Sequence, residues 1–146
     1  MADKIAPGVT LWTCASVPES AQSFWRPRSD QYIGLLELCA VGLWVGTFGD
    51  QLRGSDSTVY VDNDGVLGAF LKGSMKCPDG NWMIGLVWLQ LARLNIRVMF
   101  GRVESKANIS DGPTRGRQRD IRTIQGQWVS PVWPLWLREW WAVPEP

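Results

Sequence analysis

The sequence predicts an α/β domain: a mixed β-sheet flanked by helices. Three observations predict it. Residues 58–61 (TVYV) read as a strand that stops on a carboxylate, Asp62. A long apolar helix precedes that strand, and helical runs and a second strand follow; this alternation implies parallel pairing. Two short strand-like runs near the start imply an antiparallel hairpin added to the same sheet.

In chain order, residues 1–8 (MADKIAPG) are polar and read as an end. Residues 9–13 (VTLWT) and 22–26 (QSFWR) are the two short strands, and residues 16–20, with Pro18, are the turn between them. Residues 27–30 break the pattern, and Ser29 or Asp30 caps a helix over 31–52. In that helix Ile33, Ala40, Val41, Trp44 and Phe48 recur at helical spacing and build an apolar stripe. Glu37 falls inside the stripe. A charge on a buried face is costly unless something pairs it. Two readings follow: a Glu satisfied by an Arg or turned out by a rotated helix, or a carboxylate facing the sheet end to share a metal.

Residues 53–57 (RGSDS) are a polar turn into the strand that carries Asp62. Residues 66–71 form a short helix ended by Gly73, and 77–80 (CPDG) a turn. Residues 81–94 form a helix apolar almost all round, hence buried on more than one side. Asn95 ends it. Residues 96–103 (IRVMFGRV) read as a strand paired parallel to 58–61, and 104–110 (ESKANIS) as a loop. Ser110 caps a last helical turn starting near Asp111, kept short by Gly112 and Pro113.

The composition removes several chemistries. The chain has 146 residues, enough for one domain with its own core, and a net charge of +1. It has no histidine, which excludes His-based acid–base work, Ser-His-Asp and Cys-His nucleophiles, and His metal ligands. A metal would have to be held by oxygen, which favours Mg²⁺ or Mn²⁺ over zinc. Three widely spaced cysteines form no CxxC pair and fit a reduced intracellular setting, cytoplasmic or nuclear. Residues 33–48 are greasy but are interrupted by Glu37 and three glycines, so they do not read as a membrane span.

Three acids stand out: Glu37 on a helix, Asp62 at a strand end and Asp111 after the last strand. The predicted topology carries all three towards one sheet edge. Clustered carboxylates repel one another and stay ionised together only around a cation. Two Mg²⁺ ions about 4 Å apart can activate a water and stabilise a leaving oxygen in phosphodiester cleavage, with no histidine needed.

The same residues carry a resemblance. Residues 35–40 (LLELCA), 59–65 (VYVDNDG) and 102–115 (RVESKANISDGPTR) resemble three motifs of the ribonuclease H-like superfamily. The match is to the ribonuclease H domain of retroelement (retrotransposon) reverse transcriptases in particular. The motifs are the first helix with its catalytic Glu, the central strand with its catalytic Asp, and the last strand, loop and final Asp. The resemblance covers about residues 9–115. It implies a five-stranded mixed sheet and Mg²⁺- or Mn²⁺-dependent hydrolysis of the RNA strand of RNA–DNA hybrids, leaving a 5′-phosphate. It makes Glu37, Asp62 and Asp111 the catalytic and metal-binding residues, lets Asn63 and Asn108 orient substrate or ligands, and makes the rest of a reverse transcriptase polyprotein a partner.

The chain departs from that pattern twice. The family opens with a strand carrying a first catalytic Asp. Here Asp3 stands on a first strand missing most of its length, or residues 4–12 already belong to the second strand and the first catalytic Asp is absent, or the reading frame is truncated. Lys106 stands near the place of the loop histidine many members carry; it can hold phosphate but cannot shuttle protons near neutral pH in the same way.

The expected organisation is a ribonuclease H-like domain over 1–115 and an Arg/Trp/Pro-rich tail over 116–146. Across that boundary, Arg115, Arg117, Arg119 and Arg122 lead to Trp128, Trp133, Trp136, Trp140 and Trp141. Arginines with aromatic rings suit single-stranded nucleic acid. The preferred reading is plainer: rings packed on the domain, or an interaction tail. Three functions follow: a metal-dependent nuclease, a catalytically degenerate relative that binds nucleic acid or protein, or an unrelated α/β domain with a Trp-rich interaction tail.

Overall fold

The computed structural model describes residues 7–25, 32–110 and 126–141. Along them run β1 (Leu11–Trp12), α1 (Glu19–Trp25), α2 (Tyr32–Phe48), β2 (Asp56–Val61), α3 (Asp64–Lys72), α4 (Pro78–Arg93) and β3 (Arg97–Arg102). A 3₁₀ turn (Ser105–Ala107), β4 (Gln127–Trp128) and α5 (Leu135–Trp141) complete the order. The class is α/β, with helices and short parallel ladders.

β2 and β3 pair in parallel over their full lengths, with Thr58 opposite Met99 and Val61 opposite Arg102. The alternation of a half-buried strand sets the faces. Ser57, Val59 and Val61 turn inward, while Asp56, Thr58 and Tyr60 face out. Behind the sheet the Phe70 ring stacks on Phe100 with centroids 4.3 Å apart, and Trp88 meets Phe100 edge-on at 5.5 Å. Outside, Arg97 pairs with Asp56 and holds its carboxyl below the usual carboxylate range.

Local chemistry explains the helices around this ladder. Asn63 caps α3: its backbone is extended and its side-chain oxygen accepts the Val66 N–H at 3.1 Å. Gly73 ends α3 at φ 75°, a conformation that glycine adopts without cost. Pro78 opens α4, where its missing N–H costs nothing. α4 starts three residues before the sequence-based boundary because the CPDG segment belongs to its first turn. It ends where Asn95 turns left-handed, at φ 53°.

α2 and α4 pack together through Leu35, Leu38, Cys39 and Val45 on one side and Met83, Ile84, Val87 and Leu91 on the other, all inside one core. Burial pushes the Cys39 thiol up to about 12. The face of α2 differs from the expected stripe. Val41 and Phe48 are buried, but Ile33 is 67 % exposed and Ala40 is also exposed. The helix is apolar around most of its circumference, so residue spacing alone allows several stripes, and its neighbours decide among them.

One of those neighbours is the C-terminal segment. Leu137 is fully buried, and Trp133, Trp136, Trp140 and Trp141 pack against the core. The Trp136 indole N–H donates to Gln90 Oε1 of α4 at 2.7 Å, and Trp82 of α4 lies between Trp136 and Trp140. A side chain at Gly46 would collide with the Val132 carbonyl and the Pro134 ring, so α2 lets the segment approach only because that position is glycine. Thr47 Oγ1 accepts the Val132 N–H at 3.0 Å. Upstream, β4 pairs in parallel with β1, Leu11 opposite Gln127 and Trp12 opposite Trp128.

Two sequence-based expectations fail here. Residues 22–26 were to be a strand, but residues 19–25 are helical. The aromatic pair in QSFWR suggested a strand, yet Glu19, Ser20, Ala21 and Gln22 supply a helical first turn whose Ala21 is buried. The antiparallel hairpin therefore does not form. Among the described residues the two ladders are separate, and both are parallel, so the expected mixed pairing is not seen there.

Candidate functional site

β2 carries its backbone to the sheet edge and releases it at Asp62. Val61, buried and facing the core, is the last strand residue; Asp62 sits in the bend after it, half-buried. The C-terminal end of parallel strands is where α/β sheets commonly present polar groups to ligands. Asn63 follows at once and starts α3, so three consecutive residues combine a core anchor, a carboxylate and a helix cap.

Glu37 arrives from α2. It lies half-buried, next to the fully buried Leu38 and Cys39. Its Oε1 accepts a hydrogen bond from Asn63 Nδ2 at 3.3 Å. Burial raises the Glu37 carboxyl above the ordinary range; the Asn63 bond partly offsets this, and the nearby negative charge of Asp62 adds to it. The two carboxylates therefore stand close enough to repel, as their places on neighbouring elements predict.

A second amide reaches the site from the other side. Asn108, just after the 3₁₀ turn, donates through Nδ2 to Asp62 Oδ2 at 3.1 Å. Its Oδ1 accepts the Ser110 N–H at 3.1 Å and the Ser110 hydroxyl at 2.6 Å. The loop after β3 thus returns to the strand edge, as the topology implied. Lys106 is exposed on that turn. Asp64, the neighbouring acid in the DND string, is occupied elsewhere: Arg102 Nε donates to its Oδ1 at 2.5 Å on the surface.

The structure bonds Glu37 to Asn63, the residue after Asp62, and puts it within electrostatic reach of Asp62. Asp111 lies outside the described residues, as do Asp3 and Arg115, Arg117, Arg119 and Arg122. Among the described residues no group of three or more His, Cys, Asp or Glu side chains is placed to hold a metal. The donors present are all oxygens, and a pair of half-desolvated carboxylates that repel each other is relieved by a hard cation. Their oxygens are of the type that Mg²⁺ or Mn²⁺ takes, but two carboxylates do not by themselves complete a cation site.

The part the sequence did not specify is the double use of Asn63, as helix cap and as donor to Glu37. Its signal was present: an Asn immediately before a helical run is a cap candidate, and a capping oxygen points the amide nitrogen the other way. The tryptophans of the C-terminal segment are largely committed to packing, with Trp128 an exception at 52 % exposed. Among the described residues no helix is long and apolar enough to cross a membrane. No protein-family profile, curated protein or solved structure matches the chain.

Proposed function

We propose that the chain is a ribonuclease H-like domain of the retroelement reverse transcriptase type, which hydrolyses the RNA strand of RNA–DNA hybrids with Mg²⁺ or Mn²⁺. The observation that carries the reading is the bond that brings Glu37 of α2 to Asn63, next to Asp62, at the C-terminal end of β2. The order α2, β2, α3, α4, β3 and the parallel β2–β3 pair support the reading of the two motifs, 35–40 and 59–65, in which those residues stand.

In this reading Glu37 and Asp62 would hold the cation and fix the attacking water; the resemblance gives Asp111, which lies outside the described residues, as a third ligand. The bound cation supplies a lowered water pKa and neutralises charge at the leaving oxygen. Water oxygen attacks the phosphorus, the bond to the RNA 3′-oxygen breaks, and that oxygen leaves as a 3′-hydroxyl. The phosphate stays on the 5′ end of the downstream fragment. In this reading Lys106, exposed on the turn after β3, holds a backbone phosphate.

A second reading is favoured by one observation. Among the described residues no third acid joins Glu37 and Asp62 to hold a metal, and an amide caps an oxygen of each. That arrangement suits a relative that keeps the surface and has lost cleavage, acting as a nucleic-acid or protein binding module. Incubation of a labelled RNA–DNA hybrid with the protein and Mg²⁺ or Mn²⁺ separates the two. The nuclease reading expects RNA fragments with 5′-phosphate ends, and Asp62→Asn at background. Hybrid retention without cutting supports the binding module. Equal cutting by wild type and Asp62→Asn removes the site from the reaction.

A further inference from the structure

The outward face of α4 is uncharged for most of its length. Between Asp79 and Arg93 the sequence holds no Asp, Glu, Lys or Arg, although a helix face in water ordinarily carries them. Met83, Ile84, Val87 and Leu91 fill the core, Trp88 meets Phe100, and Gln90 accepts the Trp136 indole N–H. The stripe that remains, Trp82, Gly85, Leu89 and Ala92, is exposed among the described residues. Trp82 is 41 % exposed and Leu89 45 %, and a Cβ at Gly85 would meet nothing within 4 Å. Steps of three, four and three residues are those of a coiled-coil seam.

We infer that this stripe is a contact between two copies of the chain, with α4 antiparallel to α4 of a second copy about a two-fold axis. The stripe complements itself only when reversed. Trp82 then faces the second copy's Ala92, and Leu89 faces its Gly85, so each large side chain meets a small one. Charge follows the same rule. Asp79 and Arg93 stand one heptad before and one heptad after Leu86, on the same flank of the stripe. Turned end for end, Asp79 of each copy lies beside Arg93 of the other, giving two pairs of opposite charge. A parallel arrangement would instead set Asp79 against Asp79, Arg93 against Arg93 and Trp82 against Trp82, and leave Gly85 facing Gly85. Self-complementarity of shape and charge under reversal is what a two-fold interface requires, and it selects a second copy as the occupant. One helix seam from each copy is a small interface, so the dimer is weak.

Sedimentation of the full chain over about 1 to 500 µM, the range of a weak contact, reads the association directly. Wild type should pass from monomer to dimer within it. Leu89→Glu, at an exposed position, should leave the thermal melt unchanged and the chain monomeric throughout. Ala92→Trp tests the register. It adds apolar surface, so a merely sticky patch would associate more tightly, whereas the reversed seam sets the new ring against Trp82 and should weaken the dimer by about tenfold. Asp79→Arg should also weaken it, and Asp79→Arg combined with Arg93→Asp should restore it. A wild type that stays monomeric overturns the proposal and turns the stripe towards a different protein. A dimer indifferent to Leu89→Glu overturns it as well, as do tighter association of Ala92→Trp and a double exchange that fails to restore the dimer.

Discussion

The molecule contains two parallel ladders that differ in almost every other respect. β2–β3 runs six residues, is backed by Phe70, Phe100 and Trp88, and ends on the candidate site. β1–β4 runs two residues and has no acid at its end. The long ladder joins segments linked by a helical crossover, the arrangement that favours parallel pairing. The short one joins distant parts of the chain and depends on the C-terminal segment being held in place by Pro134, Trp136 and Leu137 against α2. Parallel pairing alone therefore tells little; what stands behind a ladder decides how much the fold relies on it.

Three substitutions would break or sharpen that contrast. The largest effect is expected at Phe70, whose buried ring backs the long ladder. Phe70→Ala should cost about 3–5 kcal/mol in a denaturant melt, enough to unfold a domain of ordinary stability. A cost near zero would mean the ladder does not depend on its backing. Next is Leu137→Ala, which removes the fully buried anchor of the C-terminal segment and should cost about 2–4 kcal/mol. If the segment were only an appendage, the melt would hardly move.

The smallest effect is at the site. The folded-state pKa of Glu37 is raised, so the folded chain holds that proton more tightly than the unfolded chain does. In cation-free buffer its contribution to stability should therefore be greatest below the ordinary Glu range and fall as pH rises through the raised folded value. Glu37→Gln keeps an acceptor for Asn63 and removes the charge. At pH 7 in EDTA it should be more stable than wild type by about 0.5 kcal/mol, the discounted size of a half-solvated charge pair. A less stable variant would show that the charge is compensated by a group not seen near it.

The long ladder was legible in the sequence, and the short one was not. Residues 58–61 end on Asp62 with a polar turn before and a helical run after, so the strand and its exit could be read locally and the strand–helix–strand alternation implied its parallel partner; the strand in fact begins at Asp56, inside the expected turn. Glu37 and Asp62 could be placed at one edge because adjacent elements carry them. The face of α2 could not be read, since Ile33 and Ala40 are as apolar as the residues that are buried, and the neighbours of the helix break the tie: α4, α3 and the segment packed at Gly42 and Gly46. The helix over residues 19–25 was missed because Phe24 and Trp25 in its sequence outweighed the helix-forming Glu19–Gln22 turn. The β1–β4 pair has too few residues to leave a periodic pattern.

The short ladder has one consequence for how the chain comes off the ribosome. Leu11 and Trp12 are made early, yet their partners Gln127 and Trp128 appear only after α2, β2, α3, α4 and β3 have been synthesised. Until then the flank of α2 at Gly42 and Gly46 lacks the cover that Trp136, Leu137 and Pro134 give it. Closure of the domain is thus a late, long-range step that favours completion over speed. A nascent chain stalled before residue 126 would present that flank to chaperones.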